Sequence, residues 1–173
     1  MCVAACGGAL FSGFGTAGQR CTSLGTVIVH ESWHDEFLAR FSAAVEEAAI
    51  GDPFAPVLYG PMLDRRFAER FEEYLGWIRP HHPAHGSPRI SRITAAKPRP
   101  GFVKDPGAGI FYHPTIVSGV RPDDELFRSE TFGPIVGVLA YRDLSEAIRL
   151  ANLPGYGLSS STTACPEAPG AHR

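Results

Sequence analysis

The stretch at positions 14–29, FGTAGQRCTSLGTVIV, joins a bend of small residues to a run of β-branched apolar residues. The end of this stretch continues as Thr26–His30 (TVIVH), which is typical of a β-strand covered on both faces, as in a parallel sheet. Similar runs occupy Thr115–Val117 and Ile135–Tyr141. Three buried strands are therefore expected.

Amphipathic patterns alternate with these strands. One predicts a helix from Ser32 to about position 50, with Ser32 as N-cap and Asp35 three residues on, in the pattern of a capping box. Further helices are expected at 64–78 and at Leu144–Ala151. This alternation predicts an α/β fold, in which a parallel sheet carries helices on its faces.

Three segments carry weaker signals. Residues 79–109 are rich in Pro, Gly, Ser and His without a clear period, which predicts a long loop or ribbon. The run 156–161 is expected to add one more strand. The end of the chain, TTACPEAPGAHR at 162–173, has no periodicity and is expected not to fold.

The charge pattern argues against two classes of partner. Sixteen basic and eighteen acidic residues give a formal net charge of -2 and are scattered, so neither nucleic-acid binding nor membrane binding is indicated. No apolar stretch approaches the roughly 20 residues of a membrane span. The first residues, MCVAACGGALFSGFG, lack the basic region of a secretory leader, so a cytoplasmic location is expected.

The cysteines are expected to be free thiols, because they form no CxxC pair and a reducing compartment is expected. They are Cys2, Cys6, Cys21 and Cys165. A zinc site could combine the first two with His81, His82 or His85, but that spacing fits no common zinc pattern. We therefore assign no metal site and expect these histidines to be exposed in a polar loop.

The letters GFGTAG at 13–18 match the dinucleotide-binding pattern G-x-G-x-x-G. A dinucleotide-binding loop leaves a strand and opens a helix, so that the pyrophosphate meets the helix N-terminus. Here a helix end is expected before the glycines and a strand after them. The glycines are better interpreted as permitting tight turns.

Cys21 follows these glycines, and two interpretations of it are open. A thiol is nucleophilic when nearby positive charge or backbone N–H groups stabilise the thiolate and substrate can reach it. A glycine-rich bend supplies access and free amides. A lone cysteine, however, is more often a small buried apolar side chain.

A second candidate lies at 129–134, SETFGP, just before a predicted strand. Glu130 could accept hydrogen bonds from a pair of ribose hydroxyls, as carboxylates do at nicotinamide sites, and Phe132 could offer an aromatic face. The alternative is a surface carboxylate before a turn, which spacing alone favours.

Taken together, FGTAGQRCT and SETFGP resemble the active-site cysteine signature and the cofactor-contacting E-x-F-G-P element of the aldehyde dehydrogenase superfamily. Further matches follow in the family order: HESWHDEF, GDPF, VLYGP, YHPTIV, and Asn152 followed by YGLSSS. The phrases GTAGQRCT, VLYGP and GLSSS are most like the aminoadipate-semialdehyde dehydrogenase, or antiquitin-like, branch. Because several separate motifs agree over residues 9–161, the resemblance is more specific than any one of them.

This resemblance implies a parallel-sheet α/β catalytic domain and the NAD(P)-dependent oxidation of an aldehyde or semialdehyde to a carboxylic acid. Cys21 would be the nucleophile, forming a thiohemiacetal and then a thioester, and its own N–H would be half of an oxyanion hole. Glu130 would hold the nicotinamide ribose, facing Cys21 across the cofactor, and Phe132 would pack near the nicotinamide. The parent enzyme is expected to be a homo-oligomer.

The resemblance also implies that the catalytic domain is incomplete. In the family, the general-base glutamate, the oxyanion-hole asparagine and the NAD(P)-binding domain lie upstream of the matching segment. Residues 1–161 are thus expected to be a partial catalytic domain, with 162–173 unrelated to it, and the chain alone is expected to be weak or inactive. The alternative is a non-catalytic remnant that acts as a docking module for other subunits.

Overall fold

The computed structural model describes residues 3–78, 82, 84–85, 92–93 and 99–163. The α-helices are α1 (Val3–Phe14), α2 (Glu31–Glu47), α3 (Arg65–Leu75), α4 (Glu125–Arg128) and α5 (Leu144–Ala151). The strands are β1 (Thr26–His30), β2 (Ile50–Gly51), β3 (Ala84–His85), β4 (Arg92–Ile93), β5 (Phe102–Val103), β6 (Phe111–Tyr112), β7 (Thr115–Val117) and β8 (Ile135–Tyr141). Short 3-10 helices occupy Gly15–Gly18 and Pro106–Ala108. Across the described ranges, no helix is long and apolar enough to cross a membrane.

The central sheet has the strand order β1-β8-β7-β3. Strand β8 pairs in parallel with both neighbours: Thr26 of β1 lies opposite Gly137, and Thr115 of β7 lies opposite Ile135. Because β8 is central, its first five residues are all buried, which explains why its sequence shows no polar alternation. The predicted α/β fold with a parallel sheet is confirmed.

The predicted loop at 79–109 contributes short strands to the fold. Strand β3 joins the central sheet antiparallel to β7, so one edge of the sheet departs from the expected parallel arrangement. Strands β4 and β6 pair antiparallel, and β2 and β5 pair in parallel. Each of these strands except β2 lies within or next to the loop, and two residues are too few to show a period in the sequence.

The start of α2 differs from the sequence prediction. Its N-cap is His30, whose Nδ1 accepts the backbone N–H of Ser32 at 3.2 Å. The Nε2 of the same ring lies 3.1 Å from the carbonyl oxygen of Arg142. The predicted capping box of Ser32 and Asp35 is wrong, because the last residue of β1 already supplies the acceptor for the helix N-terminus.

The other end of α2 is closed by a distant arginine. The helix ends at Glu47, before the predicted end near position 50, because Ile50 already belongs to β2. The buried Arg99 guanidinium donates hydrogen bonds to three carbonyl groups there, those of Val45, Glu46 and Ala48, at 2.6, 3.2 and 3.2 Å. These bonds satisfy carbonyl groups that a helix end leaves without intrahelical partners.

The other two predicted helices form close to their expected positions. Helix α3 begins after Asp64, whose side chain accepts the N–H groups of Arg66 and Phe67. Helix α5 begins after Asp143, whose side chain caps it. The strand predicted at 156–161 is wrong: these residues are exposed and pair with no strand of the described chain, and without a partner a strand has no ladder to form.

Candidate active site

The two chemical motifs meet because the strands that follow them are parallel neighbours. Cys21 precedes Thr26, the first residue of β1, by five positions, and Glu130 precedes Ile135, the first residue of β8, by five positions. Since β1 and β8 run in parallel, the segments that enter them lie at the same edge of the sheet. The candidate site is therefore built at the amino ends of the strands.

Direct backbone contact joins the two motifs. A Cβ on Gly18 would overlap the carbonyl oxygen of Gly133, and Gly18 also has φ of +66°. A Cβ on Gly133 would in turn overlap the ring of Phe71, on α3. The cysteine segment, the SETFGP segment and α3 thus pack with no room for side chains at these two glycines.

Strained backbone concentrates at the same place. Left-handed φ values occur at Thr16 (58°), Ala17 (55°) and Phe132 (39°), and among the described non-glycine residues the fourth is Lys104 (69°). Such conformations cost on the order of 1–3 kcal/mol each and cluster at functional sites in known proteins. Gly13 lies in the last turn of α1, and Gly15 and Gly18 follow that helix and precede β1. The glycines therefore lie between a helix end and a strand, which is the wrong context for a dinucleotide pyrophosphate.

Cys21 lies at the tip of a turn closed by two hydrogen bonds. The Ser23 N–H donates to the Arg20 carbonyl at 3.0 Å, and the Arg20 N–H donates to the Ser23 hydroxyl at 3.2 Å. Cys21 and Thr22 occupy the two central positions, and their backbone N–H groups donate to no residue in the described ranges. The thiol is free and exposed, so the interpretation as a buried apolar filler does not hold.

The two residues before Cys21 anchor the turn. The Gln19 Oε1 accepts the Leu63 N–H at 2.9 Å, and its Nε2 donates to the carbonyls of Thr16 and Pro61 at 3.2 and 3.5 Å. The Arg20 guanidinium lies over the Phe11 ring, 5.4 Å from its centroid. The sequence assigned neither residue a role, and the structure shows that both hold the segment in place.

The SETFGP residues differ in their surroundings. Glu130 is exposed, and its carboxylate forms no hydrogen bond or ion pair with other residues of the described chain. Phe132 is half-buried and borders a depression of about 110 Å³. This depression is lined by Phe67, Arg70, Tyr74, Thr131 and Phe132. Neither Cys21 nor Glu130 is among its lining residues.

Helix α3 contributes lining residues that the sequence did not single out. Arg70 donates from Nε to the Tyr74 hydroxyl at 2.9 Å, and its guanidinium lies 5.9 Å from the centroid of that ring. Positions 67, 70 and 74 are three and four residues apart, so Phe67, Arg70 and Tyr74 lie on one face of the helix. That spacing is the signal that could have identified this wall of the depression.

Asp64 fixes the start of the same helix. Its carboxylate contacts the Arg66 guanidinium at 2.9 Å as well as two backbone N–H groups. The hydrogen bond from Arg66 is the main cause that holds the pKa of the Asp64 carboxyl below its usual value, and the bond from the Phe67 N–H acts in the same direction.

The possible zinc site of cysteine and histidine side chains involves residues that lie partly outside the described chain. The described residues contain no group of three His, Cys, Asp or Glu side chains that could hold a metal ion. The expectation of an exposed histidine is wrong for His82, which is buried and whose Nε2 lies 2.8 Å from Oδ2 of Asp124. Cys2 and His81 lie outside the described residues, as does Cys165 in the 164–173 segment.

Comparisons with known proteins point in one direction. The family model described as "Aldehyde dehydrogenase family" matches residues 3–166. A curated relative, 1-pyrroline-5-carboxylate dehydrogenase of Staphylococcus haemolyticus (strain JCSC1435), is 29% identical over 150 residues, which are 87% of this chain and 26% of the relative. The chain therefore spans about a quarter of the length of the curated relatives it matches.

Solved structures agree with the sequence relatives. A gamma-glutamyl-gamma-aminobutyraldehyde dehydrogenase from Burkholderia cenocepacia J2315 is 30% identical, with a TM-score of 0.75, over 90% of this chain and 29% of that chain. An NAD-dependent aldehyde dehydrogenase from Sinorhizobium meliloti is 28% identical, with a TM-score of 0.74, over 87% of this chain and 28% of that chain.

Proposed function

This chain belongs to the aldehyde dehydrogenase family, and we propose that its residues 1–161 form part of the catalytic domain, with Cys21 as the nucleophile that attacks an aldehyde or semialdehyde. This proposal leaves residues 162–173 outside that domain, although the family match reaches residue 166. The contact between Gly18 and Gly133 carries the proposal, because it brings the cysteine segment against the segment of Glu130 and Phe132. Membership in the antiquitin-like branch is part of the same proposal.

The proposed reaction uses the thiol and the turn that holds it. The Cys21 thiol first loses its proton to water; the thiolate sulfur then adds to the aldehyde carbon, the carbonyl double bond opens, and the oxygen becomes an oxyanion. In this proposal the N–H of Cys21, which has no partner among the described residues, donates to that oxygen. A bound nicotinamide dinucleotide would supply the hydride acceptor that converts this adduct into a Cys21 thioester. Water then hydrolyses the thioester to a carboxylic acid and the free thiol.

Two residues fit the nicotinamide half of NAD or NADP. Glu130 offers an exposed carboxylate without a partner in the described chain, which suits a pair of ribose hydroxyls. Phe132 presents an aromatic face at the edge of a depression with aromatic walls, which suits a flat ring. Arg70 in the same wall adds a positive charge for a negatively charged ligand.

The 173-residue polypeptide is expected to turn over weakly or not at all when it is assayed alone. Loss of a general base costs about 10² to 10⁴ in rate, and no carboxylate or imidazole of the described residues hydrogen-bonds to Cys21. We propose that the parent enzyme is a cytoplasmic homo-oligomer in which other segments complete the site.

The proposal is tested by alkylation of Cys21 with iodoacetamide in the presence and absence of a semialdehyde, while an assay of NAD(P)H formation is expected to show little or no turnover by this chain alone. Trypsin cleaves after Arg20 and Arg40, so the peptide 21–40 carries Cys21 as its one cysteine and reports its labelling by mass spectrometry. A saturating aldehyde is expected to slow the labelling of Cys21 and to leave Cys6 unchanged. Equal labelling with and without aldehyde would contradict the proposal, since a nucleophile that binds aldehyde must be protected by it.

The second candidate is a non-catalytic docking module. Strand β1 favours it, because its outer edge has no strand partner within the described residues and could pair with another subunit. Two results together would select this candidate: the chain co-purifies with an intact homologous subunit, and an aldehyde does not protect Cys21 from alkylation.

A further inference from the structure

The Gln19 side chain spans the gap between the cysteine turn and the segment that enters α3. Its Oε1 accepts the Leu63 N–H at 2.9 Å, while its Nε2 lies 3.5 Å from the Pro61 carbonyl oxygen. The same Nε2 donates to the Thr16 carbonyl at 3.2 Å. One side-chain amide therefore joins the cysteine segment to a backbone segment more than forty positions along the chain.

The segment that Gln19 contacts is itself fixed. Met62 is buried, and its N–H donates to the Ile110 carbonyl at 2.7 Å. Asp64, the next residue after Leu63, caps α3. A contact to Leu63 is thus a contact to the start of the helix that forms one wall of the depression beside Phe132.

The turn on the other side of Gln19 is also closed, by the two hydrogen bonds between Arg20 and Ser23. Cys21 lies inside this closed turn, and the Gln19 hydrogen bonds connect the turn to the segment that enters α3.

From this geometry we propose that Gln19 is a positioning residue for Cys21: its amide holds the cysteine turn against the entry of α3, and so directs the Cys21 N–H toward the place where an oxyanion would form. The proposal rests on the proposed function, in which Cys21 attacks a carbonyl carbon. Gln19 itself touches neither substrate nor cofactor. An amide suits this task because it accepts from Leu63 and donates to Thr16 at once.

The test compares two reactions of the same sulfur in the full chain. The Cys21 thiolate adds reversibly to the carbonyl carbon of an alkyl trifluoromethyl ketone, forming a carbon–sulfur bond and an oxyanion. The dissociation constant of this adduct, measured by fluorine NMR, therefore depends on an oriented donor. Alkylation by iodoacetamide forms no oxyanion and depends on thiol exposure. The variants are Gln19→Met, which keeps the length and loses the hydrogen bonds, Gln19→Glu, which keeps an acceptor for Leu63, and Glu69→Gln as a control on the exposed side of α3.

We expect Gln19→Met to weaken the ketone adduct by about tenfold, while the alkylation rate changes by less than about threefold. Removal of a complete oxyanion donor costs about 10²–10³, and the effect here is smaller because the Cys21 N–H is still present but less well oriented. Gln19→Glu should fall between Gln19→Met and the native chain, and Glu69→Gln should match the native chain. A Gln19→Met variant that binds the ketone as well as the native chain would overturn the positioning role. A native chain that is alkylated at Cys21 but forms no ketone adduct would instead overturn the proposed function, and the positioning role with it.

A second measurement covers the case in which Gln19→Met fails to fold. Amide hydrogen exchange of Leu63 in the native chain reports the same contact without any substitution. Protection of this amide supports the hydrogen bond to Gln19, because this is the bond that its N–H forms. Exchange at the rate of an unstructured peptide would overturn the proposal.

Discussion

The two ends of the β1 and β8 strand pair are built in opposite ways. At the amino end, glycines and left-handed residues bring backbone against backbone, and the polar groups of Cys21 and Glu130 are left exposed. At the carboxyl end, the side chains of His30 and Asp143 accept hydrogen bonds as N-caps of the helices that follow, α2 and α5. Open α/β sheets usually bind ligands at their carboxyl ends. Here the end with unsatisfied groups and strained backbone is the other one, and it is there that we place the chemistry.

The largest expected effect at the amino end is that of Gly133→Ala. The added Cβ would overlap the Phe71 ring, so either α3 or the SETFGP segment must move. We expect the free energy of unfolding to fall by about 3 kcal/mol, as measured by urea denaturation. Gly25→Ala is the control, because a Cβ there meets nothing within 4 Å. Equal stability of the two variants would mean that the segments are not packed as described.

At the carboxyl end, His30→Ala should cost about 1 kcal/mol in unfolding free energy, because it removes the N-cap acceptor of α2. It also removes the ring contact with Tyr141. His30→Asn should retain most of the stability, since asparagine is a good N-cap. The comparison of the two strand ends predicts that neither variant alters the alkylation rate of Cys21, and a clear change in that rate would break it.

A smaller effect, of opposite sign, is expected for Thr16→Asn. Thr16 has φ of 58°, which a β-branched residue tolerates poorly and asparagine tolerates well. We expect unfolding free energy to rise by up to about 1 kcal/mol. Thr162→Asn, at an exposed position without left-handed backbone, should be neutral. A loss of stability at Thr16 would show that its hydroxyl, which bonds to the Gly15 carbonyl, matters more than the backbone strain.

The smallest effect concerns the pH dependence of α3. Because the pKa of Asp64 is lowered in the folded chain, its stabilising contribution is present above the ordinary value of 3.8 and is lost as the pH falls through the lowered pKa. Asp64→Asn should therefore show a shallower loss of thermal stability below about pH 4. Arg66→Met should behave in the same direction, since the Arg66 hydrogen bond is the largest cause of the shift. Unchanged slopes in both variants would contradict this account.

The sequence predicted those features that depend on local pattern. Strands β1, β7 and β8 have the predicted limits, because each is an apolar run between turn residues. The His30 cap, the Arg99 contacts and the Gly18–Gly133 contact each join residues that the sequence does not place together, so periodicity carries no sign of them. At the candidate site, the sequence identified Cys21, Glu130 and Phe132 as candidate site residues. It did not identify the wall formed by α3, because Arg70 and Tyr74 belong to a pattern typical of any amphipathic helix.

The pairing of β1 with β8 also bears on how the chain acquires its site during synthesis. Thr26 and Gly137 are partners, yet 111 positions separate them, since 137 minus 26 is 111. Contacts of such long range form late, after the entropy of closing a large loop has been overcome. A nascent chain would therefore carry the cysteine segment without its counterpart until nearly all of the described sequence had been made. During that interval the cysteine turn would lack the backbone contact with Gly133 that it has in the folded chain.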